Sequence, residues 1–228
     1  MNSAAPDRKG SWSYNPVTGE LGHLLVAPEE TGGRRIEVDL WLQPGAAVAG
    51  AHFHPTLIER FEVREGSVTF LRDGEERPLG PGDGVAEVGR DVTHDWWNSG
   101  DGIARVRVEV EATAEAEGEP ATRFAEIIEV LWSLGALGKV NAKGMPDPLW
   151  LAAIAREYRD VIRFVKPPAA VQTILFGPLA AIARATGRDP LAAELHGPGA
   201  PLEIEDPGDG LADLLRRPVD TRRARGRD

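Results

Sequence analysis

The hydrophobic period of this 228-residue chain changes once, and the change divides it. From about Leu21 to Ala112, apolar residues come in short runs closed by glycine, proline and aspartate, as in an all-β barrel or sandwich. Arg35-Ile36-Glu37-Val38-Asp39-Leu40 and Ala104-Arg105-Val106-Arg107-Val108-Glu109-Val110 alternate apolar with charged, the pattern of half-buried strands. Val68-Thr69-Phe70-Leu71 ends at Asp73-Gly74, a hairpin signal, and Gly80-Pro81-Gly82-Asp83 marks a further turn.

After Pro120 the period is helical. Phe124, Ile127, Ile128, Leu131, Leu134 and Leu137 fall on one stripe. Asp147 as cap and Pro148 at the first turn announce a second helix, with Trp150, Ile154, Tyr158, Val161 and Val165 on its apolar side. A third opens after Pro167-Pro168 and is expected to break or kink near Gly177-Pro178. The fold class is therefore mainly β with α. The boundaries are an N-terminal extension at 1–20, a β-barrel at 21–112, a linker at 113–120, a helical segment at 121–190 and a Pro/Gly/Arg-rich tail at 191–228. The tail carries little that could form a core and is expected to be flexible.

Composition narrows the function. Cysteine is absent, so any metal must sit on nitrogen and oxygen ligands. A net charge of -10 repels a phosphate backbone, and no basic helix-turn-helix is evident, so small molecules rather than nucleic acids are the expected partners. Six arginines between Arg216 and Asp228 make the C-terminal end basic, which reads as a solvated tail. Met1 to Gly10 lacks a basic flank followed by an apolar run, so no secretory signal is expected and cytoplasmic residence follows as the default. The uncharged stretch Pro167 to Ala183 is interrupted by Pro167, Pro168, Gly177 and Pro178, and reads as a buried helix pair rather than a membrane span.

Chemistry concentrates in the histidines. His52-Phe53-His54 sets two imidazoles on one face of a strand. Strand parity selects Glu59 as their carboxylate, because turning Glu62 inward would bury Arg60 and Arg64 with it. His94, far along the chain, can return to the same interior. Three imidazoles and one carboxylate suit a single divalent transition metal: iron, manganese, nickel, cobalt, copper or zinc, with iron or zinc favoured. They leave one or two positions open for a substrate or dioxygen.

These residues resemble the cupin superfamily. Its first motif, H-x-H-x(3,4)-E-x(6)-G, is met by His52, His54, Glu59 and Gly66, with Gly45 upstream. The second, G-x(5,7)-P-x-G-x(2)-H-x(3)-N, is met at Gly82, His94 and Asn98, while Gly89 stands where proline is usual and Asp91 where glycine is usual. The resemblance implies a jelly-roll barrel with the metal inside one end and, often, a homodimer. Asn15-Pro16, Thr18-Gly19-Glu20, Trp96-Trp97-Asn98 and Asn141-Ala142-Lys143-Gly144-Met145-Pro146 resemble a bacterial group that joins a cupin to a C-terminal helical segment.

Around the ligands, Phe61, Phe70, Trp96 and Asn98 are candidates to line a substrate pocket, Trp96 by sharing the parity of His94. Core filling competes with that role for Trp96, and fixing a strand turn competes with it for Asn98. Glu87 is a candidate inward acid or base. Lys143 is a candidate to lie over the barrel mouth and meet an anionic substrate, against the plainer role of its loop in holding two helices in register. The function expected is a metal-dependent enzyme acting on a small organic molecule, either an oxygenase or an isomerase, cyclase or lyase using the metal as Lewis acid. The alternative is a metal-containing module that binds or senses a small molecule without turnover.

Overall fold

A computed structural model describes residues 8–216, apart from the side chains of Val48 and Ala49. In chain order its strands and helices are β1 (Trp12–Tyr14), β2 (Leu21–Val26), β3 (Arg35–Leu42), β4 (Ala47–Phe53), β5 (Leu57–Glu65), β6 (Val68–Arg72), β7 (Glu75–Leu79), β8 (Val85–Val88), β9 (His94–Asn98), β10 (Ala104–Ala112), α1 (Pro120–Ala136), α2 (Pro148–Glu157), β11 (Arg163–Phe164), α3 (Ala169–Ala185), β12 (Glu203–Ile204) and α4 (Leu211–Leu215). They build two antiparallel sheets in a jelly roll, one ordered β12-β1-β2-β3-β10-β5-β8 and the other β11-β4-β9-β6-β7.

Alternation decides which side of each strand meets the core. In β10, Ala104, Val106, Val108, Val110 and Ala112 are buried while their neighbours are half-exposed, and in β5 Leu57, Glu59, Phe61 and Val63 face inward. The outward residues carry the charge that keeps this face wet. Arg60 holds Glu87, Glu109 and Glu111, and Arg107 holds Glu37 and Asp39. The hairpin between β6 and β7 turns at Asp73 and Gly74, both with positive φ (49° and 88°), as a tight two-residue turn requires.

The helices close the barrel rather than forming a separate body. Ile127, Val130 and Leu134 of α1 share one core with Val106 and Val110 of β10 and with Trp150, Ile154, Tyr158, Val161 and Ile162. The segment read as a linker is tied down as well, since the Arg34 guanidinium donates to Thr113 O and Ala116 O. Leu137 and Val165, assigned to buried stripes, are exposed because α1 and α2 end before reaching them. The Asp147 cap is present: its carboxylate accepts from the amides of Leu149 and Trp150.

Two expectations are corrected. Pro167 to Ala183 does not form a buried pair of helices: α3, from Ala169 to Ala185, runs through Pro178 as one helix and buries only Ala180 and Ala183, while Ile174 is 70% exposed. The helix packs against α2. No helix of the described residues is long and apolar enough to cross a membrane. The second correction concerns the tail, which is docked as far as Arg216. Leu195 is buried and its carbonyl accepts from Ser133 Oγ, Ala200 and Leu202 pack on Trp132, and β12 pairs with β1. Leu214 and Leu215 of α4 cover Tyr14, Leu21 and Trp41. Isolated apolar residues, each filling one gap, produce this docking without any sequence period. Apart from Arg216, the basic C-terminal end lies outside the described residues, as do Met1 to Asp7 of the N-terminal reading.

Candidate metal centre

Three strands and the residue after one of them converge on a single point. His52 lies in β4, directly opposite His94 of β9, and His54 follows one residue beyond the end of β4. Glu59 reaches the same point from β5 in the other sheet. All four are buried, at 4, 2, 1 and 4% exposure for His52, His54, His94 and Glu59, and one ligand atom from each lies within 4.8 Å of the others.

The departure from the motif before His94 is accommodated at Asp91, which adopts the left-handed conformation usually given to glycine (φ 61°). Its amide donates to His54 O at 2.9 Å, so the turn that presents His94 is pinned to the strand end that presents His54.

Each imidazole is oriented by a carbonyl. Nδ1 of His52 is 2.6 Å from Gly50 O, that of His54 is 2.6 Å from Val161 O, and that of His94 is 3.1 Å from Val92 O. A carbonyl only accepts, so each Nδ1 carries the proton and Nε2 is left facing the cluster. His94 Nε2 lies 2.7 Å from Glu59 Oε2. His54 Nε2 lies 3.1 Å from the same oxygen without hydrogen-bond geometry, and is a buried nitrogen with no partner. A buried polar atom with nothing to bond costs free energy unless something is meant to occupy the point it faces.

The protonation states suit a cation. Burial, reinforced by the two neighbouring imidazoles, pushes His52 down to about 3, so it is neutral and ready to ligate. For Glu59, burial would raise the pKa, but the adjacent His54 imidazole and the hydrogen bond and charge of His94 prevail and hold it well below 4.5. For His94, burial would lower the pKa, but the hydrogen bond to Glu59 prevails and raises it above 6.5. The donor set and the orphaned His54 Nε2 therefore fit a divalent transition metal.

Phe61, Phe70 and Trp96 pack ring on ring beneath the ligands, and the Phe61 ring centre is 6.3 Å from that of His94. All three are buried and fill the barrel. Asn98 is not available to a substrate: its amide donates to Leu42 O and Gly102 O and accepts from the Gly100 amide, which fixes the turn after β9. Glu87 is corrected outright. It points outward, is exposed, and binds Arg60, because it has the opposite parity to Val88, which faces in. Lys143 sits in an exposed turn whose Gly144 approaches Thr18.

What lies beside the histidines is aromatic. The Phe124 ring of α1 is 5.3 Å from that of His54, and the Phe164 ring of β11 is 6.4 Å from that of His52. Phe124 could be read in the sequence only as part of a helical stripe. Phe164 and the Val161 carbonyl left no signal, since a two-residue strand has no period and a carbonyl has no side chain.

Residues 40–111 match the family model for the Cupin domain. Among solved structures, a predicted oxalate decarboxylase from Thermotoga maritima is similar at 21% identity and TM-score 0.39, with 41% of this chain and 80% of that one covered. A sugar phosphate isomerase from a cupin superfamily of Silicibacter pomeroyi is similar at 28% identity and TM-score 0.37, covering 43% of this chain and 64% of that one. KdgF from Halomonas sp. gives 16% identity and TM-score 0.38, covering 50% and 98%. Comparison with curated proteins gives no match. The matched residues include β4, β5 and β9, the strands that bring His52, Glu59 and His94 together within the two jelly-roll sheets.

Proposed function

We propose that this protein is a metal-dependent enzyme that holds one divalent transition metal on His52, His54, Glu59 and His94 and acts on a small organic molecule at the metal's open positions. The observation that carries the reading is the buried, unpartnered His54 Nε2 within a four-donor cluster. A bound metal would supply Lewis-acid or redox chemistry. The chain itself supplies the carbonyls of Gly50, Val161 and Val92, which hold the three Nε2 atoms inward, and the rings of Phe124 and Phe164, which exclude water beside His54 and His52.

Elemental analysis of protein purified without chelator should find about one metal per chain, lost in His52→Ala and in His94→Ala. A metal-free protein that also fails to take up iron, zinc or cobalt would end the reading. With the metal identified, oxygen uptake in the presence of candidate substrates separates an oxygenase from an isomerase, cyclase or lyase. Ligand binding with no product by mass spectrometry would favour a sensor module instead.

A further inference from the structure

The strand register places one more charged side chain at the metal's level. Arg72 of β6 stands directly opposite His94, which stands opposite His52, which stands opposite Phe164. Directly opposed residues of antiparallel strands leave the sheet on the same face, so Arg72 projects to the ligand side, one strand or about 4.8 Å beyond His94. Its Nη1 donates to Glu87 O, at 3.2 Å, on β8 of the other sheet. That residue precedes Val88, the direct partner of the ligand Glu59. Arg72 thus spans from one sheet to the other, level with His94 on one side and Glu59 on the other.

The surroundings of the four donors are unequal. Phe164 and Phe124 stand beside His52 and His54. Beyond His94 and Glu59 stand Arg72, which is exposed, and Val88. Arg60, Arg105 and Arg107 on the outer face each hold carboxylates, whereas Arg72 forms no ion pair among the described residues. Its neighbour across β7 is Glu75, also exposed and not within ion-pair reach, and Arg77 adds a second exposed cation on this face, opposite Phe70.

We propose that Arg72 is the anchor for an anionic substrate, a small organic acid whose carboxylate is held by the guanidinium while another of its oxygens meets the metal. A planar guanidinium matches a carboxylate with two parallel hydrogen bonds and exchanges its single long bond to a carbonyl for them. The role sought for Lys143 falls to this arginine. The proposal rests on the metal-centre reading above, and its test separates the two.

The wild type, Arg72→Ala and Arg72→Lys are loaded with cobalt(II), and binding of glycolate and of its uncharged analogue glycolamide is followed through the cobalt absorption bands. The expected result is equal cobalt affinity in all three proteins, within about twofold. Glycolate binding should weaken tenfold or more in Arg72→Ala and be partly restored in Arg72→Lys, with glycolamide binding unchanged, as the loss of one charge-assisted contact predicts. Glycolate bound equally well by wild type and Arg72→Ala, or not bound by the loaded wild type, overturns the proposal and leaves the metal site standing. Failure of the wild type to bind cobalt overturns the metal reading itself.

Discussion

Glu59 and His94 hold each other in the charged state, and this sets how the site responds to pH. His94 is raised above 6.5 by Glu59, so the stability it lends the metal-free protein is present below 6.5 and lost as pH rises through the raised value. Glu59 is held well below 4.5, so its stability is present above 4.5 and lost as pH falls through the lowered value. His52, down at about 3, is neutral through this range and has no proton to give up. Metal uptake at pH 6, below the raised value, should therefore displace the His94 proton. Replacing Glu59→Gln removes the cause of the His94 shift and a ligand together, so cobalt or zinc affinity should fall on the order of 100-fold or more, and fewer protons should be released at pH 6. Calorimetry in two buffers of different ionisation enthalpy counts them; an unchanged count would show that Glu59 does not hold the proton on His94. Glu87→Gln should leave metal content unchanged and cost under about 1 kcal/mol of stability by denaturant titration, since it loses only an exposed pair with Arg60.

Among the elements, those with a period or a punctuating residue are legible in the chain itself. The i, i+2 spacing of His52 and His54, the parity of Glu59 and the Asp73-Gly74 turn carry their geometry with them, because a strand has a period of two and a tight hairpin needs positive φ. The cap of α2 is equally plain at Asp147 and Pro148. Removing that cap tests whether it holds the helix that delivers Val161: Asp147→Ala should lower stability by about 0.5 to 2 kcal/mol, because it frees two amides. Loss of the contact to Arg188 adds to this. A thermal unfolding midpoint equal to wild type would mean that packing of Trp150 and Ile154 alone fixes α2. Exposure is not legible for α3. Its uncharged sequence suggests burial, yet only the two alanines that touch its neighbours are covered. Composition reports what a helix could bury, and only the partners present decide what it does bury.

At the scale of the whole molecule, barrel and helices complete one site. His54 is oriented by Val161 O, 107 residues away, and screened by Phe124, so its geometry depends on chain beyond the barrel. Thr56 Oγ1 donates to Asp160 O at 2.8 Å and Phe164 pairs with His52, which adds two more ties between the same parts. The period change near Thr113 makes the two parts visible as sequence but hides their dependence, since backbone hydrogen bonds and single aromatic contacts have no pattern. Ending the chain at Gly118 strips Ile127, Val130 and Leu134 from the core they share with β10. The surface exposed would be apolar and continuous, the kind that drives association. The truncated barrel should therefore aggregate on size-exclusion chromatography. Any soluble fraction should bind zinc about 10 to 100 times more weakly than the full chain, the usual cost of losing a group that orients a ligand. A soluble barrel with full zinc affinity would show that Gly50 O and Val92 O suffice to orient the histidines and that the helices serve another purpose. Retained solubility with weakened zinc binding would instead separate the two roles, leaving Val161 as the part of the helical segment that the metal site needs.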